Sequence, residues 1–292
     1  MLKLRTAVET STDLACQVLG RRNVVRCARL VLRRASRDIR NDMRVNGETS
    51  LQEWVLALWQ PGCRLPILDV GANHGRWSAE MLSAARRVGR GGDLDLHSFE
   101  PSSWTFARLE EALAAETQVT LRQVAMSETS GTSVLHVVGD GAGTNSLHDS
   151  LGQRAVIATE PVAMTTLDEY ANEAQLAEIA LVKVDTEGHD LAVLRGARHL
   201  LADHRVSVVQ FEYNWRWVES RCFLSDAFGL FNSAGYLLGK LTPDGIEFYP
   251  SWDPDLETFV EGNYVAAVPD VAARLPAVRW WKAAPATGRG KS

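Results

Sequence analysis

Two short stretches hold side chains whose types and spacing suit chemistry. The first is Ile67–Gly75, ILDVGANHG: a buried-strand tetrad containing Asp69, then a tight loop of Gly71, Ala72, Asn73, His74 and Gly75. RWSAEMLSAARRV follows at helical spacing, with Trp77, Met81 and Ala84 on one stripe. Glycines without Cβ let the loop backbone approach a ligand, and free N–H groups at the helix start point toward it. The pattern is Asp-x-Gly-x-Asn-x-Gly, not the Gly-x-Gly-x-x-Gly that cradles a dinucleotide pyrophosphate. An acid closing the strand suits a ligand carrying positive charge, such as the amino and sulfonium groups of S-adenosylmethionine. The plainer reading is that Asp69 caps a helix and the glycines turn the chain.

The second stretch is Lys183–Asp190, KVDTEGHD. Asp185 ends a buried strand, and His189 follows four residues later at the start of a helix. A helix N-terminus pushes imidazole toward its neutral form, as a general base for a hydroxyl acceptor requires. Asp185 or Glu187 would orient that ring, although Thr186 and Glu187 equally suit helix capping and dipole matching. Asp185, Glu187, His189 and Glu212 also offer ligands for a Mg²⁺ ion, but no compact ligand motif supports a metal, and none is assigned.

Further polar residues close other strands. Glu100 ends a second strand before Pro101 and suits the hydroxyls of an adenosyl ribose, Ser127 sits where an adenine contact would fall, and Glu212 ends a later strand. Strand signals alternate with helical ones along the chain, which predicts a doubly wound, mostly parallel α/β sheet. In such a sheet ligands bind beyond the carboxyl ends of the strands. That rule gathers Asp69–Gly75, Glu100, Ser127, Asp185 and Glu212 at one edge.

The bulk properties fit. With 292 residues and 46% hydrophobic content, the chain buries a large core without staples. Its net charge of −5, from 31 basic and 36 acidic side chains, argues against a dedicated nucleic-acid binder. Cys16, Cys27, Cys63 and Cys222 are scattered, with no CxxC pair. No apolar run reaches transmembrane length and residues 1–20 lack a signal-peptide core, so the expectation is a cytoplasmic protein. Residues 1–48 read as a basic helical extension with arginines from Arg21 to Arg40 interleaved with Val and Leu. It suits packing on the main domain, self-association, or docking to an acidic carrier protein or an anionic membrane surface. Residues 49–281 form the main domain, and 282–292 read as a disordered tail. Tyr213, Trp215 and Trp217 read as core or lid rather than a sugar platform.

DVGANHG, SFEP, VAMSE, TNSL, TTLDEY and VKVDTEGHDLAVLRGA occur in this order. Together, over about residues 65–215, they resemble the FkbM family of S-adenosylmethionine-dependent methyltransferases. The resemblance implies a seven-stranded Rossmann-like sheet and O-methylation of small hydroxylated substrates, often sugars or polyketide-type natural products. It places Asp69, Gly71, Ala72, Asn73 and Gly75 at the methionine end, Glu100 at the ribose and Ser127 at the adenine edge. Asp185 falls beside the transferring methyl with His189 near, and Asn145 and Ser146 fall toward the acceptor; Glu187 and Glu212, at the same strand edge, are taken as further acceptor contacts. Two alternatives remain from the residues themselves: a nicotinamide-dependent oxidoreductase, which shares Glu100, and a non-catalytic adenosyl-binding module.

Overall fold

The computed structural model describes residues 2–38, 42–138, 147 and 156–283. Contacts divide the chain into two compact units, Met1–Arg40 and Asn41–Ser292. The first unit is a helix pair, α1 (Leu2–Leu19) and α2 (Arg21–Ala35), separated at Gly20.

The second unit is an α/β fold. It runs α3 (Glu48–Leu58), β1 (Leu65–Val70), α4 (Arg76–Arg87), β2 (Leu94–Phe99), α5 (Ser103–Leu113), β3 (Val119–Arg122), β4 (Ala125–Met126), β5 (Gly131–Val137) and β6 (Ala158–Thr165). Then come α6 (Leu167–Glu173), β7 (Ile179–Val184), α7 (Asp190–Arg195), α8 (Arg198–Ala202), β8 (Val206–Tyr213), α9 (Leu224–Ser233), β9 (Leu237–Thr242), β10 (Gly245–Tyr249) and β11 (Gly262–Ala267). The main sheet has the order β10-β9-β11-β8-β7-β1-β2-β3. The five strands from β8 to β3 are mutually parallel, and β11, β9 and β10 add antiparallel pairings. The expected seven strands are therefore eight: the Pro243–Gly245 turn closes a hairpin that lays β10 along the edge of β9. A second sheet, β4-β6-β5, stands apart.

Apolar strands with period-2 side chains fill a core on each face of the main sheet. On β1, Leu65 and Ile67 enter one core and Leu68 and Val70 the other. After the turn at Thr186–Gly188, the helical stretch that the sequence carries through Leu201 is two short helices, α7 and α8. The break falls at Gly196, where a Cβ would meet the Ser127 carbonyl oxygen at 2.0 Å, and Gly196 O accepts from Asp168 N. Tyr213 and Trp217 are core residues at 0% and 1% exposure, while Trp215 is exposed.

Candidate active site

The carboxyl ends of the parallel strands open into a cavity of about 630 Å³. Its walls include Gly71, Ala72, Asn73, His74, Trp77, Glu100, Lys183, Asp185, Thr186, Glu187 and His189, with Glu48 from α3. The two motifs of the sequence therefore meet, and the joint is made by backbone. Asp185 N donates to Val70 O at 3.0 Å, and Gly71 N and Ala72 N donate to Phe99 O at 3.0 and 2.9 Å. Gly71 has φ 77°, and a Cβ there would lie 1.9 Å from the Asp185 carbonyl oxygen. Glycine is required at this position for its conformation and for its lack of volume.

Register explains the cavity floor. Asp69 on β1 pairs laterally with Ser98 on β2 and Lys183 on β7, and Lys183 pairs with Gln210 on β8. One polar row thus crosses four parallel strands just below their ends. Asp69 is fully buried, accepts from Ser78 Oγ of α4 at 2.6 Å, and lies 3.4 Å from Lys183 Nζ. Lys183 Nζ also lies 3.2 Å from Asp185 Oδ2. Burial opposes the lysine's charge, but Asp185, Asp69 and Glu48 more than offset it, and its pKa rises above the ordinary value. Gln210 Nε2 donates to Glu48 Oε2 at 2.8 Å and Asn263 Oδ1 at 3.0 Å.

Removing this lysine leaves a buried carboxylate without its counter-charge, which costs about 3 kcal/mol or more. Lys183→Met is expected to lower Tm by roughly 6–12 °C, at about 2–4 °C per kcal/mol for a unit of this size. Adding Asp69→Asn should recover part of the loss. An unchanged Tm in a calorimetric scan of Lys183→Met would remove the row from the account of stability.

Glu100 is held by two backbone donors, Asn73 N to Oε2 and Ser102 N to Oε1, both at 3.1 Å. Burial pushes its pKa up to about 7 despite them. Asn73 itself takes the left-handed backbone at φ 50°. Glu187, at φ 57°, pairs with Arg216 Nε at 2.9 Å, and burial with the charge of Asp185 raises it to about 8. Asp190, fully buried, closes the second loop by accepting from Thr186 N and Gly188 N at 3.1 Å, and burial raises it to about 7. His189 lies at the N-cap of α7, one step earlier than the expected first turn, with Nε2 2.9 Å from Ser127 Oγ.

Of the residues singled out in the sequence, Gly71, Ala72, Asn73, Glu100, Asp185, Glu187 and His189 share the cavity wall. Asp69, Gly75, Ser127 and Glu212 do not. Asp69 is buried against Ser78 of α4, and a Cβ at Gly75 would lie 2.8 Å from the Leu109 side chain of α5. Ser127 is buried, with its Oγ 2.9 Å from His189 Nε2. Glu212 is buried away from the wall and accepts from Asn214 Nδ2 at 2.6 Å. Burial and the charge of Asp185 raise its pKa well above the ordinary carboxylate range. Asn145 and Ser146 lie outside the described residues. Among the described residues no group of three or more His, Cys, Asp or Glu is placed to hold a metal ion, so Asp185, Glu187, His189 and Glu212 do not form one.

Lys183, Glu48, His74, Trp77 and Thr186 are wall residues to which the sequence reading gave no ligand role. Four polar atoms on this wall are buried without a hydrogen-bond partner among the described residues: Asn73 Oδ1, His74 Nε2, Trp77 Nε1 and Thr186 Oγ1. Buried polar groups are nearly always paired. All four belong to residues that line the one cavity.

The chain was compared with known proteins. The model of the methyltransferase FkbM domain matches residues 69–238, more than half of the chain. Comparison with curated proteins finds no match. Among solved structures, the chain is similar to a methyltransferase FkbM from Methylobacillus flagellatus at 15% identity and TM-score 0.45. That match covers 72% of this chain and 45% of the other, so the chain spans less than half of that relative. Precorrin-6y C5,15-methyltransferase from Geobacter metallireducens aligns at 11% identity and TM-score 0.38, over 75% of this chain and 87% of the other. A SAM-dependent methyltransferase from Agrobacterium tumefaciens aligns at 8% identity and TM-score 0.40, over 76% and 61%. With the family model covering both motifs that meet at the cavity, this chain belongs to the FkbM methyltransferase family.

Proposed function

We propose that the chain is an S-adenosylmethionine-dependent O-methyltransferase acting on a hydroxyl of a small molecule, a sugar or a glycosylated or polyketide-type natural product. The observation that carries this reading is the joined wall of Gly71–Asn73, Glu100 and Asp185 around one cavity. The residues fit the cofactor. Glu100 keeps lone pairs for ribose hydroxyls after accepting its two backbone donors. Acidic residues outnumber basic ones on this wall, with Asp42, Glu48, Glu100, Asp185 and Glu187 beside Arg44, Arg76 and Lys183. The unpartnered atoms of Asn73, His74, Trp77 and Thr186 supply donors and acceptors for the remainder.

When bound, S-adenosylmethionine supplies a methyl group on a sulfonium leaving group. The protein's part is to align the acceptor, exclude water and receive a proton. His189 is the residue given the acceptor's proton, its ring held with Nε2 2.9 Å from Ser127 Oγ. Carboxylates on the wall accept hydrogen bonds from a hydroxyl-rich acceptor.

A nicotinamide cofactor is the competing ligand. S-adenosylhomocysteine at 100 times its dissociation constant is expected to stabilise the protein by about 2.7 kcal/mol, with no shift from NAD. The reverse pattern would overturn the proposal. Transfer of a labelled methyl group onto a panel of sugars and polyketide glycosides then reads the acceptor class.

A further inference from the structure

The first unit is chemically unlike the rest of the chain. Residues 1–40 hold ten basic and three acidic side chains, and the other 252 residues hold 21 and 33. In α2 the arginines are ordered. Arg22, Arg26, Arg29 and Arg33 recur at i, i+4, i+7 and i+11, which places them on one helix face. Val24, Ala28, Val31 and Ala35 recur at the same spacing two residues on, about 200° around the helix, with Val25 and Leu32 beside them. No acidic residue lies between Asp13 and Asp38.

An amphipathic helix normally buries its apolar stripe on a core. Here no residue of α2 is buried, and Val31 and Leu32 are 68% and 63% exposed. Helix α1 repeats the pattern, with Leu4, Val8, Leu14, Val18 and Leu19 exposed. Three occupants suit one half of this surface each or both. A nucleic acid answers the arginines but leaves the apolar stripe in water. A second copy paired through the same stripe covers the Val and Leu side chains but turns both arginine faces, about 200° away, outward to solvent. An anionic bilayer takes both, with headgroups against guanidinium and the acyl boundary against Val and Leu. Among the described residues no helix is long and apolar enough to cross a membrane, so the helices would lie in the interface plane.

We propose that the α1–α2 unit is a docking element for an anionic lipid surface, with Arg22, Arg26, Arg29 and Arg33 on the headgroups and Val24, Val25, Val31 and Leu32 in the acyl boundary. The proposal is independent of the cavity. Its test is co-sedimentation of the full chain with vesicles of phosphatidylcholine alone or mixed with phosphatidylglycerol. Binding is expected only to the mixed vesicles and weakens as salt is raised.

The combined variant Arg26→Gln, Arg29→Gln, Arg33→Gln should partition about 100-fold more weakly. Val31→Ser with Leu32→Ser should lose about 10-fold or more on the same vesicles. An unchanged melting temperature in both variants shows the main unit intact. The proposal is overturned by no vesicle binding, by equal binding to both vesicle types, or by binding to poly(U) RNA in place of vesicles that the arginine variant loses and the serine variant keeps. A concentration-dependent dimer that the serine variant dissolves, without vesicle binding, assigns the surface to a second copy and likewise overturns it.

Discussion

Gly71→Ala is expected to destabilise the protein by about 2–6 kcal/mol and to abolish S-adenosylhomocysteine binding. A non-glycine residue held at positive φ costs about 1–3 kcal/mol. The added methyl at Gly71 would also stand 1.9 Å from the Asp185 carbonyl oxygen, which is fixed by the β1–β7 pairing. A backbone oxygen between two parallel strands cannot swing aside as a side chain does. Relief must come from parting the 71–75 loop from the 185–190 loop, at an overpacking cost of about 1–3 kcal/mol. The control is Gly89→Ala: φ is 72°, yet nothing lies within 4 Å of the new Cβ. That variant should show the conformational cost alone. The measurement is Tm and ligand-induced shift for both. Equal losses at the two positions would mean that the contact with Asp185 has no weight.

The same contact shows how far the site could be read before the structure. Gly71, Glu100 and Asp185 were legible because each sits at a strand end, where hydrophobic runs, glycine punctuation and the rule for ligands in parallel sheets all converge. The alternation of strand and helix was legible for the same local reasons. Lys183 carried no such signal. Inside IALVKV it reads as one polar residue in an apolar strand, and its meaning comes from the register that sets it between Asp69 and Gln210. Register is a long-range property, fixed by which strands become neighbours. Glu48 likewise reads as the polar start of a helix, and its place against Gln210, 162 residues away, is a matter of packing. Ser127 was noticed for its position at a strand end, but its partner was not. The break at Gly196, which lets the Ser127 backbone approach, reads in the sequence as an ordinary helical glycine. The eighth strand has a different reason: the Pro-Asp-Gly run at 243–245 marks a turn locally, but the addition of β10 to the sheet edge is a matter of which strands become neighbours.

His189→Ala is expected to lower kcat by about 10²–10⁴-fold while leaving the affinity for S-adenosylhomocysteine unchanged. At about 1.4 kcal/mol per decade, that is roughly 2.7–5.5 kcal/mol of barrier. The separation follows from where the side chain stands. His189 lies on the cavity wall next to Glu187, whereas the 71–75 loop and Glu100, which the proposal gives to the cofactor, are held by backbone bonds that do not involve it. Truncation to alanine also keeps the backbone of the 186–190 turn, since Asp190 closes it through Thr186 N and Gly188 N. The stability of the free protein should therefore change little. Ser127→Ala supplies the discriminating comparison. If the serine hydroxyl only fills space, its loss is silent. If it holds the imidazole in place, kcat falls by less than in His189→Ala, and the double variant is no worse than His189→Ala alone. Single-turnover rates on the identified acceptor, beside ligand titrations of each variant, separate these cases. Turnover by His189→Ala at the parental rate, with the ligand still bound, would move the proton acceptor elsewhere on the wall.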